Sequence, residues 1–232
     1  AGASMVPSTI ALALIWEPPP QAEDGVSRND ARGGMLRVAL RDPAFVWLVV
    51  CRLLVSGVDM ATPFYVGHAQ DWLHLPARLI GGFVIAQTLG SIVSSVVLGA
   101  VSERHGAITV IRITSAVAPV GPLIALALHG AGAGSWLWAY PLTYAVIGVV
   151  YSAWMLGFAN YTLEIAPKGQ RPAYIGLANT ICGVAVVMPT LGGLVRQRSS
   201  YPVLFGLAAA VGALGFLSTW GLRAPAAAAD GV

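Results

Sequence analysis

Apolar residues in this chain gather into long unbroken runs, and the polar residues between them into short turns. The runs cover 1–16, 43–66, 78–101, 107–128, 136–163, 172–195 and 200–222. Residues 79–102 carry no charged side chain. Residues 107–128 carry only Arg112, about one turn from the start, where a long side chain snorkels to the headgroups. A bilayer core about 30 Å thick takes about 20 apolar residues in a helix. In hydrocarbon every backbone group must be paired, which leaves helices or closed barrels. These runs are too long for strands and lack two-residue alternation. The pattern therefore predicts an all-α membrane protein, a polytopic helical bundle.

The first run, 1–16, would span about 24 Å and falls short of a full crossing. It reads as the truncated end of a preceding helix in a longer polypeptide, stopped by Pro18-Pro19-Pro20. Residues 17–42 are the one long polar segment. Their charges and glycines predict a solvated linker, with Met35–Leu40 as a short interfacial helix. The bundle proper is expected over 43–222, followed by an alanine-rich tail at 223–232. Within it, Trp47, Tyr65, Trp136, Trp138 and Tyr140 read as interfacial anchors. Residues 67–77 read as a polar loop holding His68, Asp71 and His74. Ala86, Gly90 and Ser94 recur every four residues, as do Ser91, Ser95 and Gly99, a spacing that permits close helix approach in lipid. Pro119 and Pro122 predict a kink.

Composition agrees with the pattern: 56% of residues are hydrophobic and only 10% charged. A net charge of +3 would suggest nucleic acid in a soluble protein, but here the basic residues sit mostly in short loops. They report topology instead. With 17–42 placed in the cytoplasm, that side holds Arg28, Arg32, Arg37, Arg41, Arg104, Arg112, Lys168, Arg171 and Arg223, against Arg78, Arg196 and Arg198 opposite. The positive-inside rule then puts the C-terminus in the cytoplasm. Cys51 and Cys182 lie within apolar runs and read as small core residues. No zinc site, phosphate loop or nucleophile elbow is present, so no cofactor, metal or nucleic-acid partner is expected.

One turn carries a recognisable signature. Gly99-x-x-x-Glu103-Arg104-x-Gly106 resembles the cytoplasmic loop motif of the major facilitator superfamily, G-x-x-x-D-R/K-x-G-R/K. The acid is Glu rather than Asp, and Ala107 replaces the last basic residue. It lies between two spans that follow a long linker, where the second copy of the motif belongs. Leu163–Pro167 with Arg171–Asn179 is similar to a later loop of the same half. The resemblance covers about residues 1–222. It implies that 1–16 end the sixth helix, that 17–42 are the central linker, and that the six later runs form the C-terminal half. Such halves are two inverted three-helix repeats. Gly99-x-Val101-x-x-Arg104 and Gly193-x-Val195-x-x-Arg198 give a faint internal echo of that.

Two charges fall inside a span. Arg52 lies about 13 Å along its helix from Pro43, close to the midplane, and Asp59 is about 10 Å further on the same face. A central Arg costs about 2.5–3.5 kcal/mol on insertion scales, so it should face a cavity or a partner. Each reads either as a substrate contact or protonatable gate, or as a structural ion pair. Gln87, Tyr151, Trp154, Asn160 and Asn179 complete the candidates for a substrate path, with helix-joining polar contacts as the alternative. Gly99, Glu103, Arg104 and Gly106 are candidates for a gating loop rather than cargo contacts. His68, His74 and His105 are expected in loops and His129 at a helix end, with no metal spacing between them.

Hydropathy alone predicts a helical bundle; the resemblance implies a secondary active transporter, here placed in the plasma membrane. The resemblance implies that it moves a small-molecule substrate by alternating access, and proton-coupled efflux is compatible with that. Its partners would be the lipid bilayer and the missing N-terminal half. The alternative is a non-transporting membrane sensor or assembly protein. An enzyme is not expected, because no paired catalytic groups occur at membrane depth.

Overall fold

A computed structural model describes residues 41–132, 137–167 and 169–223, and among these the secondary structure is helical throughout, with no strand. The helix end expected at 1–16, the linker up to residue 40, Lys168, and the tail beyond Arg223 lie outside the described residues.

Asp42 opens the first helix. Its carboxylate accepts the Ala44 N–H at 2.9 Å, and Pro43 fills a first-turn position where no N–H is needed. Helix α1 (Pro43–Ser56) passes through a 3-10 turn, Gly57–Met60, and a bend before α2 (Phe64–Asp71). A long helical stretch, α3 (Ile80–Val117), is interrupted at Gly106 and followed by α4 (Val120–Ala131). Next come α5 (Tyr140–Trp154), a π-helical segment at Met155–Ala159 and α6 (Asn160–Ile165). Then α7 (Arg171–Cys182) runs through a 3-10 segment, Gly183–Val187, into α8 (Met188–Arg198). Finally α9 covers Tyr201–Ser218.

Five helical stretches are long and apolar enough to cross a membrane: Pro43–Asp71, Ala77–Ala131, Tyr140–Ile165, Arg171–Arg198 and Tyr201–Gly221. Ala77–Ala131 has 55 residues. Laid straight it would be about 80 Å long, more than twice the hydrocarbon thickness. Its neighbours show that it folds back. Before Gly106 it runs parallel to the Tyr140–Ile165 stretch: Phe83 stacks on Tyr144, Ser91 donates to the Gly148 carbonyl at 2.9 Å, and the hydroxyls of Ser94 and Ser152 pair. After Gly106 the order inverts, with Ile111 against Gly157 and Gly121 against Val146 and Thr143. The described chain therefore makes six crossings, and we number the spans accordingly, Gly106 separating the second from the third.

The reversal depends on one residue. Gly106 has φ 78° and ψ 169°, a region in which a Cβ is badly accommodated. Gly106→Ala is expected to cost about 1–3 kcal/mol. Gly99→Ala, in helix with open space around its Cβ, should be neutral or slightly stabilising. Thermal unfolding of the two variants in detergent tests the contrast. Equal melting temperatures would refute the role given to Gly106.

Small residues let the second and fourth spans meet closely, since a Cβ on Gly90 would collide with the Ala145 carbonyl and one on Gly148 with that of Gln87. Of the two small-residue series, Ala86-Gly90-Ser94 packs against this neighbour. From the other, only Ser91 does. Ser95 is exposed and bonds its own helix at the Ile92 carbonyl, and Gly99 touches nothing. The rest of the second span turns Val84, Ile85 and Val96 outward, Val96 being 71% exposed. Such a surface suits lipid as solvent.

Three sequence expectations need correction. The helix of the first span continues to Asp71, so His68 is helical and wholly buried rather than in a loop. Tyr65 and Tyr140 are also wholly buried and not interfacial. The three share one packed cluster, though the buried Tyr65 hydroxyl has no hydrogen-bond partner among the described residues. These rings face one another across the first and fourth spans, and the Tyr140 and His68 polar atoms are paired inside. Burial of His68 and Tyr140 then costs little.

Candidate functional site

A cavity of about 410 Å³ lies among the first, third, fourth and fifth spans. Each of these spans loses regular α-helix beside it. The first contributes Asp59 and Thr62 from the break between α1 and α2. The third contributes Ala118, Gly121 and Pro122 at the gap between α3 and α4. The fourth contributes Tyr151 and Trp154, immediately before the π segment. The fifth contributes Cys182, Gly183 and Ala185 where α7 gives way to 3-10 geometry. Prolines and glycines explain most of these interruptions: Gly57 and Pro63, Pro119, Gly183 and Pro189. Non-helical backbone at membrane depth is tolerated where it lines a cavity, and here it does.

The cavity wall is mainly aliphatic, and Asp59 is the one acidic or basic residue among those lining it. Its carboxylate faces the hydroxyls of Tyr151 and Thr62. Arg52, seven positions earlier, stays off the wall. Its guanidinium lies over the Trp154 ring, 5.3 Å from the centroid, and its Nε is buried with no hydrogen-bond partner among the described residues. Trp154 is held in turn against Phe158, with ring centroids 4.9 Å apart. One side chain thus separates the two intramembrane charges.

The other sequence candidates lie elsewhere. Gln87 sits at the crossing of the second and fourth spans, where its carbonyl faces Gly148. Asn160 is half-buried just past the π segment, and Asn179 is exposed. Gly99, Glu103, Arg104 and Gly106 form the reversal remote from the cavity, with Glu103 and Arg104 exposed.

A helical bundle with a cavity among four of its spans and a glycine reversal between its second and third spans is a common enough solution that the fold alone leaves the family open. A family model decides it. The model of the Major Facilitator Superfamily matches residues 1–188, and a second overlapping match covers 73–231. The chain belongs to the major facilitator superfamily. It is accordingly a multi-pass membrane transporter. Comparison with curated proteins returns no match.

In this facilitator chain a second polar cluster escaped the sequence reading. It lies at the end of the bundle opposite Gly106. Tyr140 has one hydroxyl proton, which it gives to the Tyr65 carbonyl at 2.7 Å. His68 Nδ1, 3.1 Å from the same oxygen, is therefore the donor to it. That leaves His68 Nε2 as an acceptor, and His129 Nδ1 donates to it at 3.1 Å. Trp72 stacks on His129 with centroids 4.2 Å apart. This directional chain ties the first, third and fourth spans together. The signal available in the sequence was the spacing of Tyr65, His68 and Trp72, three and four residues apart, which continues a helix face past the last aliphatic residue. Ser56 and Thr62, both on the cavity wall and flanking Asp59 by three residues, were also missed.

Proposed function

We propose that this chain is the C-terminal half of a secondary active transporter that moves a small solute by alternating access. The cavity beside Asp59 is then its half of the substrate site. One observation supports the reading above others: interruptions in four spans coincide around the one carboxylate among the residues lining the cavity. A carboxylate at this depth is costly to keep, which favours a functional role. Asp59 is a group that can exchange a proton with the aqueous phases, so proton-coupled efflux fits.

On this reading residues 1–16 end the sixth helix of the intact protein and 17–42 link its halves. The Glu103–Arg104 turn faces the cytoplasm of a plasma membrane, as does the C-terminus, and it locks that end of the bundle. Arg52, Tyr151 and Trp154 shape the path, while Gln87, Asn160 and Asn179 join helices or meet the other half. Rocking of the two halves about the midplane carries the solute across.

A panel of small solutes tested by thermal shift on the full-length protein supplies the ligand. The stabilising solute should then be moved by vesicles holding the full-length protein. Vesicles holding residues 1–232 alone should show no flux above protein-free vesicles. Flux through the shorter chain would overturn the two-half reading.

A further inference from the structure

We infer that the solute accepted by this cavity is a hydrophobic organic monocation. The inference rests on the reading of the cavity as a substrate site and specifies its chemistry. Three features of the wall decide the class. First, a cavity of about 410 Å³ is large enough for a drug-sized molecule rather than an ion or a water cluster. Second, its lining is dominated by Val55, Val58, Val146, Ile147, Val150 and Val186, side chains that reward apolar surface and offer nothing to a polyhydroxylated solute. Third, among the residues lining that wall there is one carboxylate, Asp59, and no Lys, Arg or His.

The position of the opposite charge sharpens the choice. Arg52 is the cation nearest in sequence to Asp59, and it does not reach the wall. Its guanidinium packs over the Trp154 ring at 5.3 Å. An anion in the cavity would meet the Asp59 carboxylate directly, whereas Arg52 lies off the wall over the Trp154 ring. A cation meets the carboxylate and, beside it, the Tyr151 ring, which lines the cavity and is 47% exposed. Aromatic faces attract cations through their quadrupole, most strongly where water is absent. An uncharged solute of the same shape would fill the space but give Asp59 no counter-charge, so the carboxyl would take up a proton and contribute no charge pairing to binding. Among the three charge types, only a monocation satisfies the whole wall.

The test is equilibrium binding to the full-length protein in detergent, with labelled tetraphenylphosphonium as the cation and triphenylphosphine oxide as a neutral aromatic probe of similar character. Asp59→Asn is expected to weaken the cation about thirtyfold or more, as loss of one partner of a desolvated charge pair does. The neutral probe should bind wild type and Asp59→Asn alike, which also reports that the variant is folded. Asp59→Glu should restore cation binding. If both probes bind and neither responds to Asp59→Asn, the cavity is a site but its charge selection is refuted. Tighter binding of tetraphenylborate than of the phosphonium, in wild type relative to Asp59→Asn, would refute it as well. If no probe binds the wild-type protein, the reading of the cavity as a solute site falls with it.

Discussion

Arg52→Leu is expected to give a transporter that is more stable and inactive. The two halves of this result have different origins. A charged side chain near the bilayer centre costs about 2.5–3.5 kcal/mol on insertion scales. The compensation visible for Arg52 is its place over Trp154, and a desolvated cation–π contact returns about 2 kcal/mol at most. Its Nε is buried without a partner among the described residues, which adds an uncompensated donor to that cost. Leucine removes the cost and keeps most of the apolar stem, for a net gain of about 1 kcal/mol and a melting temperature about 2–4 °C higher. Transport should nevertheless fail, because the guanidinium fixes the Trp154 ring that lines the cavity. Natural chains keep a destabilising group where function needs it. Melting curves and vesicle flux on the same preparation check the pair of outcomes. A lower melting temperature with flux intact would make Arg52 a packing residue.

Gly148→Ala should damage the bundle more than any alanine placed on its lipid-facing side. A Cβ at Gly148 would collide with the Gln87 carbonyl oxygen and lie 2.9 Å from the Ser91 nitrogen. Both obstacles are backbone, so neither can rotate aside. The spans must separate, which also strains the bond from Ser91 to the Gly148 carbonyl and the Ser94–Ser152 pair. Overpacking of this kind costs about 1–3 kcal/mol, equivalent to about 2–4 °C for each kcal/mol in a chain of this size. Gly82→Ala, on the facing second span with nothing within 4 Å of its Cβ, is the control and should be neutral or stabilising. Thermal unfolding distinguishes them, and equal melting temperatures would show that the two spans are not held by this contact.

The medium and the helices were legible in the sequence because hydrocarbon imposes one simple rule: a run without charge must satisfy its backbone internally. The reversal at Gly106 was legible because the charged turn Glu103-Arg104 and a glycine follow a long apolar run. Arg52 and Asp59 stood out as charges within a span, and Asp59, Tyr151 and Trp154 do share one cavity. Other features were hidden for definite reasons. His68 and Tyr140 look like loop and interface residues, since a polar atom in an apolar run gives no hint that its partner is 72 residues away. Asn179 reads as a candidate for the path because it interrupts an apolar run, yet it is exposed and off the cavity wall, which the run itself does not reveal. That Arg52 lies behind Trp154, and not beside Asp59, depends on the fourth span approaching the first, which spacing within one helix does not encode.

The coincident interruptions have a mechanical consequence. Where a helix loses its regular ladder, bending it breaks few further bonds, so its stiffness is lowest there. Four of the six spans are weakened at one level, which gives each of them a compliant neck between two stiffer tiers, while the second and sixth spans pass that level unbroken. The tier beyond the necks is cross-braced by the chain from His129 through His68 and Tyr140 to Tyr65. Tilting one tier on the other then deforms the walls around Asp59 first and leaves the braced end intact, so a solute lodged at that level would sense, and resist or assist, the tilt directly.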